Sequence, residues 1–525
     1  MALKRGLATN LSTVGGFTML SRLLGFARDV IFATYFGAGF GMDAFLVAFK
    51  IPNFGRRLFA EGAFSQAFVP VLSEYRARQD KQEVRALIAQ TEGALGLALM
   101  LLVGLGVLAA PLFVWVFAPG FHTDPAKFGL TANLLRLTFA YLLFVSLLAL
   151  AAGVLNTYGR FGTPAFAPVL LNVAFIVSAW IVAPHLNQPV YALAGAVLVA
   201  GALQLLLQLP SLYRLGLLVW PRLRWHDPGV RRVFRLMLPV AFGASVTQVN
   251  LLVDTLIASF LAGGSVSWLY YSDRLMEFPL GVFAVALGTV ILPGLARYHA
   301  RGQLRDYSAL LERALRLTLF AMPAAAAGLA ALSGPIVATL FGYDRFTPYD
   351  VMMTRASLVA YALGLTAFSL IKVFAPAYFA RQDTRTPVRA GIVAVAVNLV
   401  LNVALVVPWA LRGGPAPHAG LALATSIAAG VNALLLWRGL RRRSIYHPRP
   451  GWGPFAVRVS LATVVMGLGL WLAAGSMQHW IAWSAWERIG HLVLLIVGGV
   501  LGYLFTLGLL GGRPRHFGLN RHEPV

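Results

Sequence analysis

Charged side chains recur in stretches of this sequence that are otherwise apolar enough to sit in lipid. Residues 21–39 carry Arg22, Arg28 and Asp29, and residues 42–75 carry Asp43, Lys50, Arg56, Arg57 and Glu61. A third stretch, residues 265–293, opens with Asp273, Arg274 and Glu277. An ionisable group inside a spanning helix costs about 2.5–3.5 kcal/mol on insertion scales, so each needs a partner or a use. A guanidinium donates in a planar fork that fits phosphate oxygens two at a time. Arginines drawn from three helices therefore suit a wet cavity and an anionic, diphosphate-bearing substrate. A cationic drug would call for carboxylates and aromatics instead. Arg22 and Asp29 are seven apart and share a helix face, whereas Arg57 and Glu61, four apart, could form a purely structural pair. Pro52-Asn53 is expected to break the second helix just before Arg56, leaving backbone groups that must face protein or water.

A second constellation is less charged. Asp254 lies mid-span with no basic residue within one helical turn; Asn398 and Asn402, four apart, share a face of a later helix, and Thr425 lies in the next. These are hard oxygen ligands of the kind a small cation such as Na⁺ accepts. The alternative is a protonated Asp254 hydrogen-bonded to the asparagines. No cofactor is required by either reading, and Na⁺ enters only as a coupling ion. Catalytic chemistry has little to work with. The ten histidines form no HExxH, no Walker A glycine loop is present, and the absence of cysteine removes disulfides and thiolate nucleophiles.

The elements that must hold these groups follow from composition. Hydrophobic residues make up 58% and charged residues 12%, with a mean hydropathy of +0.74, against roughly 25% charged in soluble domains. The apolar runs, such as 94–116 and 392–407, are continuous rather than alternating, which points to spanning helices and not a β-barrel. Fourteen spans are expected near 13–36, 42–72, 91–117, 129–156, 165–184, 190–212, 236–261, 268–295, 317–341, 352–379, 387–410, 418–437, 455–474 and 489–511. The N-terminal apolar stretch after Lys4 and Arg5 is interrupted by Arg22 and Arg28 and lacks an A-x-A site, so it reads as a retained first span rather than a signal peptide. With the N-terminus in the cytoplasm, most lysines and arginines outside the spans fall on the cytoplasmic side. Only Lys127, Arg345, Arg412 and Arg488 fall on the other. That asymmetry places both termini inside and explains the net charge of +24 without invoking nucleic acid.

The chain also repeats. Val69-Pro70 and Tyr75 recur as Leu292-Pro293 and Tyr298, Thr163-Pro164 as Thr386-Pro387, and Pro125 as Pro348, each 223 residues on. The expected organisation is a lobe of six helices over 1–220, a second over 221–443, and two extra helices over 444–525. An even number of spans per copy makes the copies parallel, and such lobes place a substrate site between them at midplane.

The stretches SRLLGFARDVIFATYFGAG from Ser21, MDAFLVAFKIPNFGRRLFAEGAFSQAFVPVLSEY from Met42 and SVSWLYYSDRLMEFPLGVFAVALGTVILP from Ser265 closely resemble the MurJ/MviN lipid II flippases. The similarity continues through the segment from Arg381 to Pro387. The resemblance implies an all-α polytopic fold of the MOP exporter superfamily, MATE-like, in the bacterial inner membrane. It implies translocation of undecaprenyl-diphosphate-linked disaccharide-pentapeptide for peptidoglycan synthesis, by alternating access and without catalysis. Arg22, Arg28, Asp43, Arg56, Arg57 and Arg274 fall within the matched motifs and would hold the diphosphate-sugar head group. Asp29, Glu61, Asp273 and Glu277 would be supporting charges, and helices 13 and 14 a groove for the isoprenoid tail. Lipid II, membrane lipids and the cell-wall synthesis machinery are the partners it implies. An O-antigen unit flippase or a multidrug/cation antiporter of the same superfamily is the competing reading.

Overall fold

A computed structural model describes residues 2–57 and 64–512, with side chains at 13–57, 64–239, 252–283 and 291–512. Every regular element among the described residues is helical. The first ten α-helices are α1 (Ala2–Phe36), α2 (Phe40–Gly55), α3 (Ser65–Arg78), α4 (Lys81–Leu108), α5 (Ala110–Phe117), α6 (Pro125–Phe139), α7 (Tyr141–Thr157), α8 (Gly162–Val177), α9 (Val190–Leu215) and α10 (Pro228–Ser259). The rest are α11 (Ser265–Ala300), α12 (Leu304–Ala331), α13 (Ser333–Phe341), α14 (Pro348–Phe379), α15 (Arg385–Leu411), α16 (Ala419–Arg442), α17 (Trp452–Ala474), α18 (Met477–Ala482) and α19 (Ala485–Leu509).

Ten helical stretches among the described residues are long and apolar enough to cross a membrane. They coincide with the third to sixth and ninth to fourteenth of the expected spans. The remaining four expected spans fall on α1, on α2 with α3, on α10 and on α11. Of these, α1, α2 and α11 carry the charged stretches.

The 223-residue offset reappears in the helix boundaries. Helix α4 spans Lys81–Leu108 and α12 spans Leu304–Ala331, matched at both ends; α1 ends at Phe36 and α10 at Ser259. Helices α6 and α14 begin at Pro125 and Pro348, and α8 and α15 at Gly162 and Arg385. The local cause is visible at the α6 and α14 starts, where proline takes the first helical position, whose N–H has no partner anyway. The residue before it caps the helix in both copies. Asp124 accepts from the N–H groups of Ala126 and Lys127, and Thr347 forms a capping box with Asp350.

The chain divides into two compact units, Met1–Val266 and Ser267–Val525. Compactness places α10 with the first unit, whereas the repeat register pairs α10 with α1. The two criteria measure different things, packing and duplication. In the first unit α1 packs on α8, α2 on α6, and both α7 and α8 on α9. In the second, α16 packs on α14 and α15, and α17 packs on α12 and α19. Arg488, buried at the start of α19, ties the last helices to α13. Its guanidinium donates to the carbonyls of Ala338 (3.0 Å), Gly342 (2.9 Å), Ile481 (2.8 Å) and Trp483 (3.0 Å).

The α-helix ends just before Arg56, as expected, but it does not break at Pro52 itself: α2 runs through Pro52 to Gly55. Proline lacks the N–H that would bond the carbonyl four residues back. That carbonyl, on Ala48, accepts instead from Thr138 Oγ1 of α6 at 2.8 Å. A side chain from the neighbouring helix thus replaces the lost bond, and the helix continues.

Candidate functional site

The chain reverses between α1 and α2 at Gly37 and Gly39, whose φ values of 65° and 144° favour glycine. Phe32 of α1, Phe45 and Phe49 of α2 and Phe175 of α8 form an aromatic cluster, with centroids 5.3–6.2 Å apart for the contacting pairs. Arg28 lies along this cluster, its guanidinium carbon 5.5 Å from the Phe32 ring and 5.6 Å from the Phe175 ring. Nε and Nη2 of Arg28 donate to Asp29 Oδ1 at 3.0 and 2.7 Å, and Nη1 donates to Asn172 Oδ1 at 3.1 Å. Asn172 Nδ2 in turn donates to the Ser21 carbonyl at 2.9 Å, tying α8 to α1. The result is a guanidinium held in a fixed plane by a carboxylate, an amide and two ring faces.

Arg22 is exposed, whereas Asp29, two turns on, is buried. Spacing put them on one face, but only the Asp29 end of that face is covered. Arg22 stands ~9 Å along α1 from Arg28 at 1.5 Å per residue. Arg56 and Arg57, half-buried, follow directly on α2, and Arg56 Nε donates to Asn53 Oδ1 at 2.7 Å. Lys50 Nζ reaches Thr255 Oγ1 of α10 at 3.0 Å. Glu61, the expected partner of Arg57, lies outside the described residues.

Asp43 is 1% exposed and sits apart from the arginines. It accepts from Lys127 Nζ at 2.9 Å and from the Gly264 N–H at 2.7 Å. Sequence reasoning read Lys127 as a loop charge on the outer side and missed this pair. It also missed Asn172. The signal for Asn172 was its place as a lone amide within the apolar run of α8.

In the second unit, Arg274 Nη1 donates to Glu277 Oε2 at 2.7 Å, one turn along α11, and its guanidinium carbon lies 5.1 Å from the Tyr270 ring. Asp273 beside it is half-buried. The structure also brings Asn398, Asn402 and Thr425 together within this unit. Asn398 Nδ2 donates to Thr425 Oγ1 at 3.1 Å, and Asn402 Nδ2 to Asn398 Oδ1 at 3.0 Å. Thr425 Oγ1 donates to the Leu421 carbonyl at 3.0 Å. Asp254, half-buried on α10, belongs to the first unit.

Duplicated sets of helices long and apolar enough to span, with guanidinium groups held among them, define a polytopic membrane protein. The profile of the lipid II flippase MurJ family matches residues 32–489. The chain is 45% identical over 507 residues to the probable lipid II flippase MurJ of Vibrio cholerae, covering 95% of each chain. It is 44% identical to the lipid II flippase MurJ of Burkholderia cenocepacia, covering 97% of this chain and 98% of the relative. A lipid II flippase MurJ in an inward closed conformation superposes with a TM-score of 0.76 at 26% identity, covering 94% of this chain and 98% of the other. An inward-facing multidrug resistance MATE transporter of the MOP superfamily shares the fold, with a TM-score of 0.62 at 16% identity over 81% and 95% of the two chains. The chain belongs to the MurJ family of lipid II flippases, which are transporters rather than catalysts.

Proposed function

We propose that this protein moves lipid II from the cytoplasmic to the periplasmic leaflet of the inner membrane, with its arginines holding the diphosphate-sugar head group. The observation that carries the reading is the fixed guanidinium of Arg28, with one edge held by Asp29 and one amino group on Asn172. Arg22, Arg56, Arg57 and Arg274 add the cationic field, and Asp43 acts by holding Lys127. The reading keeps fourteen spans, lobes over 1–220 and 221–443, a tail groove over 444–525 and both termini in the cytoplasm. Transport proceeds by alternating access, and a ligand shifts that equilibrium only by its differential affinity for the two states. Any contact with the cell-wall synthesis machinery would deliver or receive the same lipid.

Translocation of labelled lipid II in vesicles tests the reading. Arg28→Ala should reduce transport to the protein-free rate at unchanged membrane level. Arg28→Lys should restore part of it, because an ammonium keeps the charge and loses the fork. Full transport by Arg28→Ala would overturn the head-group assignment.

Direction is proposed to come from Na⁺ bound through Asp254, Asn398, Asn402 and Thr425. A ligand at a hundredfold excess over its Kd stabilises the folded state by about 2.7 kcal/mol. Wild type should therefore melt higher in Na⁺ than in K⁺ at equal ionic strength, and Asp254→Ala should erase the difference. Equal melting of wild type in both salts would favour a protonated Asp254.

A further inference from the structure

Residues 216–227 join α9 to α10. Because α9 is long and apolar enough to span, this linker begins at the membrane surface. Its backbone is pinned. Arg85 Nη1 donates to the Gly216 carbonyl at 3.0 Å, the Arg222 N–H donates to the Ala89 carbonyl at 2.8 Å, and Leu217 is buried. The approach to α4 requires glycine at 93, where a Cβ would stand 2.4 Å from the Arg222 carbonyl oxygen. Yet this fixed segment displays apolar side chains outward. Trp220 is 89% exposed, Leu223 54% and Trp225 40%. The corresponding linker of the second copy, 223 residues on, does the reverse. There Ile445 and Tyr446 are buried in the core, and Tyr446 Oη donates to buried Glu312. Outward display is therefore a property of the first linker and not of the repeat.

The charge around it is one-sided. Between 213 and 235 stand six arginines and one acid, Asp227, whose carboxylate caps α10 through the Gly229 and Val230 N–H groups. Arg232 pairs with Glu74 at 2.8 Å. Arg231 and Arg235 instead line an open recess of about 400 Å³ together with Trp225, Val230 and Phe234, the two rings standing 5.7 Å apart. Aromatic rings seat at the level of lipid headgroups, and clustered arginines at that level attract anionic ones.

We propose that this recess binds the headgroup of an anionic phospholipid, the phosphate on Arg231 and Arg235 and the upper acyl chains against Trp225, Phe234 and Trp220. None of the residues lining the recess is among those assigned to the head group, so its test does not depend on lipid II. Full-length protein in neutral detergent should gain more thermal stability from phosphatidylglycerol than from phosphatidylcholine of the same chains. The exposed pair of substitutions Arg231→Gln and Arg235→Gln should remove that excess, and inorganic phosphate at the same concentration should not reproduce it. Brominated phosphatidylglycerol should also quench a share of tryptophan emission that is missing in Trp225→Phe. Equal shifts from both lipids, an excess unchanged in the double variant, an excess reproduced by free phosphate, or quenching unchanged in Trp225→Phe would each overturn the proposal.

Discussion

Positions 127 and 350 occupy the same place in the two copies of the repeat, the third residue of a helix that starts at proline. Each is joined to the first turn of the helix that corresponds to α2. In the first copy the link is an ion pair, Lys127 to Asp43, with side-chain exposures of 10% and 2%. In the second, Trp268 Nε1 donates to Asp350 Oδ1 at 2.8 Å, and the same carboxylate accepts from the Thr347 N–H and hydroxyl. The contrast extends deeper into the membrane. The first unit fixes Arg28 against Asp29 and Asn172, whereas the second joins Asn398, Asn402 and Thr425 through neutral hydrogen bonds. One helical plan thus holds a guanidinium against a carboxylate and an amide in its first copy, and joins two amides and a hydroxyl in its second. Shared helix boundaries reflect caps and prolines; the polar interior is free to diverge because any arrangement with satisfied partners is tolerated.

The sharpest test of that contrast removes one partner from each link. Lys127→Met removes the ammonium from the buried Asp43 carboxylate, which keeps the Gly264 N–H, and breaking one side of a buried pair costs about 3–5 kcal/mol. Adding Asp43→Asn should return most of that loss, since the pair is worth less than its separated halves. Trp268→Phe removes the indole N–H, keeps an aromatic side chain and leaves Asp350 its Thr347 partners, so the lost bond to a charged group should cost about 1.5–3 kcal/mol. Thermal melts in one detergent rank the three. A Trp268→Phe variant as unstable as Lys127→Met would erase the distinction between the copies.

How much of this was legible follows from what sequence encodes locally. The duplication was readable from proline dipeptides because proline marks helix starts, and those starts are where the copies match. The charged residues of α1, α2 and α11 were readable because an arginine in an apolar run stands out. Their partners were not. Asn172 and Lys127 lie 144 and 84 residues from the groups they hold, and no spacing rule links separate helices. The continuity of α2 across Pro52 has the same origin. Proline's effect on its own helix is a local rule, while the hydroxyl that repairs it comes from Thr138, 90 residues from Ala48.

That repair supplies a second, smaller test. The first copy has Pro52 where the second, 223 residues on, has Leu275 with an intact N–H. Thr138→Val should cost about 1–3 kcal/mol by leaving the Ala48 carbonyl unmet in a buried site. In a Pro52→Ala background the backbone can bond Ala48 itself, so Thr138→Val should then cost little. A penalty equal in both backgrounds would mean that Thr138 matters for its packing and not for the carbonyl.

The smallest effect is expected at the turn between α14 and α15, where the copies differ by a carboxylate. The second copy has Asp383; the corresponding residue of the first is Arg160. There Arg76 reaches the Thr157 carbonyl instead. Burial acts to raise the Asp383 carboxyl, but donation from the Thr386 side chain and backbone and from Arg443 outweighs it and holds the group below its ordinary value of 3.8. The distances are 2.7, 3.0 and 2.6 Å. A depressed folded-state value means that the stabilisation is complete above the unfolded value and is lost as pH falls through the folded one. The side chain is 23% and its Arg443 partner 55% exposed, so solvent screens the pair and the effect should be slight. Wild type should therefore lose a small increment of melting temperature below about pH 4 that Asp383→Asn, already lacking it, does not lose. Around neutral pH the variant should melt slightly lower than wild type. Parallel pH profiles for the two proteins would show that the Asp383 carboxylate adds nothing to this turn.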